Sequence, residues 1–242
     1  NYFHRATEVV RKPDFTVDVK TEGILTCGIE DDCPIPVGAV AYIDFTCPKY
    51  WVSDVTYALG DVVGGNGAPS ISSLGALING SNGWWPTAIG PLFDIFKSMF
   101  EAAGLTIVVE FQQISTAPGG TVLLYAEQVP ATSFLNLEYV RNSNYMRVTV
   151  DAFTALTSSP YAINQINRVA VSFVKDPTEL AAGHMAIQVN GGDLQAGASG
   201  DDLTPLNLVH IGNSYEASPA GYIRKIIIYP PQADGDLAAL IA

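Results

Sequence analysis

The chain is short of charge. Only 15% of its 242 residues are Asp, Glu, Lys or Arg, and the 12 basic side chains are scattered apart from Arg11–Lys12 and Arg224–Lys225. Against them stand 24 acidic side chains, for a formal net charge of −12. Phosphate backbones are therefore repelled over several Debye lengths at low salt, with no basic stripe to override the average, and nucleic acid is not an expected partner. Long apolar runs are missing too. None approaches the roughly 18 residues of a spanning helix, and the opening NYFHRATEVVRK lacks the apolar centre of a signal peptide. The chain reads as soluble, with no membrane span. Its first residue, Asn1 in place of Met, is the start expected of a processed product or of the ordered part of a longer chain.

Cysteine is limited to Cys27, Cys33 and Cys47. Their spacing fits neither a CxxC pair nor a Cys/His zinc cluster, and an odd count is a poor disulfide framework. They read as free thiols, with a Cys27–Cys33 bridge across a turn or a metal site as the alternatives. Histidine is limited to His4, His184 and His210. The last two sit in strand-like runs, where a histidine is more often a satisfied neighbour than a base. No G-x-S-x-G elbow is present, and GDVVGGNGAP lacks the Lys-Ser/Thr of a phosphate loop. Glu-x-Asp-x-x-Glu, which would aim two carboxylates from one strand into a groove, does not occur either; Glu110 and Glu138 stand alone in their strands. The chain reads as no enzyme.

What the chain has is 48% hydrophobic residues, 22 Gly, 15 Pro and many Thr, Val and Ile, a β-leaning globular composition long enough for a sizeable core. Residues 1–38 alternate short β-type runs, FTVDVK and GILTCGI, with turn clusters and read as a strand-rich arm or appendage. AVAYIDF (39–45) and YWVSDVTYAL (50–59) are strand-like, and a Gly- and Asn-rich loop follows, with a helical turn at most in SISSLGALI. PLFDIFKSMFEAA (91–103) places Leu92, Phe93, Ile95, Phe96, Met99 and Phe100 on one helical stripe, with Pro91 and Gly104 at its ends. This helix is expected to pack on a sheet, since its nearly neutral polar face does not suit a membrane surface.

After it, strand-like runs at 105–114, 120–128, 134–141, 144–153, 166–174, 184–192, 206–213 and 221–230 follow one another, mostly alternating and bounded by turn residues. That argues an all-β, antiparallel sandwich. DGDLAALIA (234–242) adds a short C-terminal helix. In GYIRKIIIYP, strict alternation sends Tyr222, Arg224, Ile226 and Ile228 to one face and Ile223, Lys225, Ile227 and Tyr229 to the other.

The order TIVVEF, LLYAE, NYMRVTVDA, RVAVSF, MAIQVNGG, LVHIGN, GYIRKIIIYP, DLAAL resembles the concanavalin A-like, laminin-G-type sandwich carried by many bacteriophage structural proteins, over roughly residues 39–242. The resemblance implies a jelly-roll β-sandwich and a non-enzymatic virion component: fibre, spike, tail or capsid surface. It would be assembled in the host cytoplasm, with other virion proteins and copies of itself, such as a trimer, as partners. A lectin-like module for a host-surface glycan is the alternative reading, and a polysaccharide hydrolase or lyase a more distant one. No cofactor is expected, but laminin-G-type domains hold calcium at loop carboxylates, which would make Asp201 and Asp202 metal ligands where they are otherwise a solvated acidic turn. Tyr215 and Glu216, ahead of the last strand, are either a plain hairpin tip or a sugar-stacking pair. Trp84 and Trp85 would anchor their loop on the domain or a neighbouring subunit, or bind glycan.

Overall fold

The computed structural model describes residues 17–19, 25–27, 34–47, 49–53, 55–58, 71–78, 91–114, 121–127, 134–140, 142–150, 154–175, 183–198, 206, 208–214 and 221–242. The chain forms two compact units, Asn1–Pro34 and Ile35–Ala242. In the first, β1 (Val17–Val19) and β2 (Leu25–Cys27) pair antiparallel.

The second unit is an antiparallel β-sandwich. Its strands are β3 (Ala41–Asp44), β4 (Lys49–Val52), β5 (Val55–Ala58), β6 (Ile71–Ser72), β7 (Gly75–Ile78), β8 (Gly104–Gln113), β9 (Thr121–Glu127), β10 (Phe134–Tyr139), β11 (Met146–Val150), β12 (Thr154–Thr157), β13 (Asn167–Val174), β14 (His184–Val189), β15 (Gln195–Ala198), β16 (Leu208–Ser214) and β17 (Gly221–Tyr229). The helices are α1 (Pro91–Ala102) and, after a 3-10 turn at Asp234–Asp236, α2 (Leu237–Leu240). Among the described residues, one sheet has five strands in the order β12-β11-β10-β9-β16. The other has ten: β15-β14-β13-β8-β17-β3-β4-β5, with β7 also on β17 and β6 on β7.

Alternation builds the core between the sheets. Leu105, Ile107, Val109 and Phe111 of β8 point inward to meet Leu135, Leu137 and Tyr139 of β10 and Met146, Val148 and Val150 of β11, all in one buried cluster. The stripe expected on α1 is buried as Leu92, Phe93, Phe96 and Phe100, the last edge-on to Phe173 at 5.8 Å. On its polar side, Lys97 Nζ donates to the Leu206 carbonyl at 2.7 Å and Glu101 accepts from the Leu206 amide at 2.6 Å. The helix thus ties the chain entering the smaller sheet to the strand β8 that follows it in the larger one.

Four sequence expectations change. The stretch read as one strand at 50–59 holds two paired strands, β4 and β5, with Ser53 at φ 47° after the first. SISSLGALI forms the β6–β7 hairpin in place of a helical turn, because pairing of β7 with β17 overrides local preference; Gly75, at φ 115°, lies so close to the Ile223 carbonyl that a Cβ would collide with it. β12 and β15, both edge strands, went unforeseen. Strict alternation also fails in β17: Ile223 pairs with Phe111 but Lys225 pairs with Glu110, a bulge that shifts the phase. Ile223, Ile226 and Ile228 all face the core, and Arg224 and Lys225 both reach acids of the opposite face.

The C-terminal segment covers part of that opposite face of the larger sheet. Tyr229, Leu237 and Ile241 are buried with Val108, Ala170 and Ala186. Thr106, Ser172 and Gln232 form a hydrogen-bonded chain beside them, and His184 pairs with Asp234 at 2.9 Å.

Within the core, Phe111, Tyr139 and Tyr161 form an aromatic cluster. The Tyr161 hydroxyl donates to Gln113 Oε1 at 2.6 Å, whereas the buried Tyr139 hydroxyl finds no partner among the described residues. An unpaired buried hydroxyl costs about 1–3 kcal/mol, and a satisfied one contributes about 1. Tyr139→Phe is therefore expected to raise stability by about 1 kcal/mol and Tyr161→Phe to lower it by a similar amount, read as opposite shifts of the urea midpoint.

Candidate functional site

The strands β10 and β11 turn their odd and even residues to opposite sides, so the residues that leave the core collect on the outer face of the smaller sheet. Leu135, Leu137 and Tyr139 are buried in the core, leaving Asn136 and Glu138 outward; Met146, Val148 and Val150 are buried, leaving Arg147 and Thr149 outward. The register sets Glu138 opposite Arg147 and Asn136 opposite Thr149. Arg147 Nε donates to Glu138 Oε1 at 2.7 Å, and a terminal guanidinium nitrogen donates to the same oxygen. Asn136 Nδ2 donates to the other, Oε2, at 2.9 Å, and its own Oδ1 is buried with no partner among the described residues. Tyr145, which is 37% exposed, immediately precedes β11 and stands two residues from Arg147, its carbonyl accepting from the Val140 amide at 2.9 Å. A guanidinium, a carboxylate and an amide thus lie along two adjacent strands, with the exposed Tyr145 just ahead of the second. Across the sheet, Tyr125 and His210 hold the register positions beyond Asn136.

The loops next to this face are held by their own polar side chains. Asn142, Asn164 and Asn190 adopt positive φ, a conformation Asn tolerates better than most residues. Asn144 Nδ2 donates to the Tyr161 carbonyl at 2.7 Å, while Asn167 Nδ2 donates to the carbonyls of Ala162 and Gln165 at 2.8 Å. Asn190 joins Asn167 to the backbone of Arg168. The β10–β11, β12–β13 and β14–β15 connections share one end of the sandwich, and each is pinned by these amides.

The outer face of the larger sheet carries a different electrostatic arrangement. Glu110 is buried between two arginines, Arg168 Nε at 3.1 Å and Arg224 Nε at 3.0 Å. Asp44 accepts from the Tyr42 hydroxyl at 2.8 Å and from the Thr46 amide and hydroxyl, with Lys225 Nζ at 3.5 Å. Burial alone would raise the Asp44 carboxyl, but the Thr46 and Tyr42 hydrogen bonds and the Lys225 charge outweigh it and hold the group below the ordinary carboxylate range. Burial first, then the bond to Asp44, pushes the Tyr42 phenol well above its ordinary value; burial does the same for Tyr139 and Tyr161.

Glu110 and Glu138, isolated in sequence, are each engaged by arginine, and they lie on opposite outer faces of the sandwich, where two carboxylates cannot act on one bond. Among the described residues no group of three or more His, Cys, Asp or Glu could hold a metal ion, and no helix is long and apolar enough to cross a membrane. Cys47 is disulfide-bonded, which corrects its reading as a free thiol.

Tyr215, Glu216, Trp84, Trp85, Asp201 and Asp202 lie outside the described residues. Their flanking strands distinguish them. Ser214 pairs with Thr121 and Gly221 with Gln113, so β16 ends and β17 begins at the end of the sandwich that carries the amide-pinned loops. Ala198 pairs with His184 and Leu208 with Glu127, so the chain on either side of Asp201 and Asp202 leaves and re-enters the sheets at the opposite end. Glu138 was weighed in the sequence only as an isolated acid; Asn136, Tyr145 and Arg147 were missed, though FLNLEY and NYMRVTV show the alternation that carries them, because which strand faced which was not visible.

No protein-family model matches the chain, and no curated protein matches it in sequence. Solved structures share its fold. The CBM40 of Ruminococcus gnavus IT-sialidase, bound to α2,6-sialyllactose, aligns with TM-score 0.51 and 15% identity over 85% of this chain and 100% of that one. Trypanosoma rangeli sialidase in complex with sialic acid aligns with TM-score 0.55 and 17% identity over 94% of this chain, but only 35% of the enzyme is covered. The likeness is one of fold: an antiparallel, concanavalin A-like jelly-roll β-sandwich, with two short helices among the described residues.

The shifted groups set a pH profile. Asp44, depressed in the folded state, contributes stability above the unfolded carboxylate value of about 3.9 that is lost as pH falls through its folded value. Tyr42, Tyr139 and Tyr161, raised in the folded state, contribute stability below about pH 10 that is lost as pH rises further. Melting temperature plotted against pH is expected to fall at both ends, and Asp44→Asn to flatten the acid limb while lowering the plateau.

Proposed function

We propose that the sandwich is a non-enzymatic, lectin-like module that binds a glycan on the outer face of its smaller sheet. The observation that carries this reading is the hydrogen-bonded Asn136–Glu138–Arg147 group on that face, with the exposed Tyr145 two residues from Arg147. An aromatic ring offers an apolar platform for the flat face of a pyranose, and the adjacent guanidinium, carboxylate and amide offer both donors and acceptors to its hydroxyls. The pinned loops keep that surface pre-organised, so little conformational freedom is lost on binding. The fold shared with a CBM40 domain bound to sialyllactose supports glycan binding as an analogy of fold. The separation of Glu110 from Glu138 supports the absence of hydrolysis.

A role for this module in a phage virion, as a fibre, spike, tail or capsid-surface component that assembles with copies of itself and attaches to a host glycan, rests on the sequence resemblance and on the low charge of the chain. A monomer in light scattering at micromolar concentration would remove the trimeric fibre from that picture without touching the glycan site.

The expected result on a glycan array is binding to a defined subset of sugars. Tyr145→Ala is expected to weaken it at least about tenfold, the equivalent of about 1.4 kcal/mol, with an unchanged melting temperature because the ring lies outside the core. An array that stays blank for the folded chain removes the reading.

A further inference from the structure

The carboxylate-binding edge of the Arg147 guanidinium, Nε and one terminal nitrogen, is already committed. Arginine recognises a carboxylate by presenting two parallel N–H groups to it. Here Nε and a terminal nitrogen both turn to Oε1 of Glu138, and the second oxygen of that carboxylate accepts from Asn136. The Glu138 side chain is only 7% exposed, against 43% for Arg147. Water therefore screens the acidic member poorly, and a second carboxylate arriving at Arg147 would meet Glu138 across a low-dielectric gap. The net charge of −12 repels the same ligand at longer range when salt is low.

The groups that remain for a ligand are the Tyr145 ring, single guanidinium hydrogens that Glu138 does not take, the Asn136 Oδ1 that has no partner among the described residues, and the Thr149 side chain opposite it. An amide oxygen without a donor asks for a hydroxyl or N–H from the ligand and gives nothing to an anion.

We infer that this face selects neutral, hydroxyl-rich sugars over carboxylated ones, with Glu138 as the residue that sets the choice by occupying Arg147. The inference rests on the glycan reading above and runs against the sialylated ligand of the structure that shares the fold. Replacing Glu138 with an isosteric amide removes the repelling charge and frees the arginine fork.

The test is calorimetric titration of the whole chain with matched glycans that differ only in a terminal carboxylated sugar, such as lactose and α2,6-sialyllactose, together with an array of other such pairs. The wild type is expected to bind the neutral member at least tenfold more tightly, with a larger ratio at low salt. Glu138→Gln is expected to shrink that ratio at least tenfold or reverse it, and Arg147→Gln to leave the neutral member preferred. Tighter binding of the carboxylated member by the wild type overturns this inference and leaves the glycan reading standing. Binding of neither class, anywhere on the array, overturns both. Should Glu138→Gln fail to fold, the wild-type ratio alone decides.

Discussion

The larger sheet depends on one extra residue in β17. This strand pairs with β8, β3 and β7, so the phase of its side chains has to agree with three neighbours at once. The bulge between Ile223 and Lys225 lets it do so. On the Gly221 side, Ile223 enters the core; on the far side, Ile226 and Ile228 do. Without the insertion, an odd–even pattern that buries Ile223 would carry Ile226 and Ile228 outward and bring Lys225 in. A one-residue slip inverts every later side chain, and burial of the two isoleucines and solvation of the lysine together decide against it.

The same bulge organises the charges. Because Arg224 and Lys225 both leave the core, one reaches Glu110 and the other Asp44, and Arg168 closes the row from the next strand. Glu110 is nearly buried, and losing one arginine would still leave it a partner, whereas losing both would strand a charge at a large cost. A chain with so few charged residues spends several of them on this row, and the pairs match across strands, where opposite charges support the register that produced them. Packing and electrostatics here specify the same alignment.

The amphipathic stripe of α1, the antiparallel sandwich and most strands of its second unit were legible from periodicity, because each depends on residues within one segment. What escaped depends on pairing between segments. GYIRKIIIYP alternates by eye, and only the β8 partner reveals that Arg224 and Lys225 share a side. SISSLGALI has no strong local preference, and β17 decides it. The candidate site was half legible: alternation alone places Arg147 with Thr149 and Asn136 with Glu138, but the salt bridge that joins the two strands is a fact of register. A site read from loops, as with Tyr215, Trp84 or Asp201, draws on composition, and composition says which residues are suited to binding without saying which stand together.

The two outer faces of the sandwich have been put to different uses, and this bears on function. The larger sheet presents Val108, Ala170 and Ala186 outward, which would be an exposed apolar patch if bare; the C-terminal segment buries it with Tyr229, Leu237 and Ile241 and satisfies Thr106 and Ser172 through Gln232. The smaller sheet has Asn136, Glu138, Arg147 and Thr149 at its outward positions, where a sheet covered by a neighbour would carry apolar side chains. A polar outer face needs no cover and is compatible with plain solvation. Two features exceed what solvation requires: a carboxylate side chain only 7% exposed and paired with its own arginine, and an amide oxygen buried without a donor among the described residues. Each costs stability relative to a lysine or threonine pointing to water. Such costs concentrate where a surface is shaped for a ligand, which is the ground on which the glycan proposal is placed at this face.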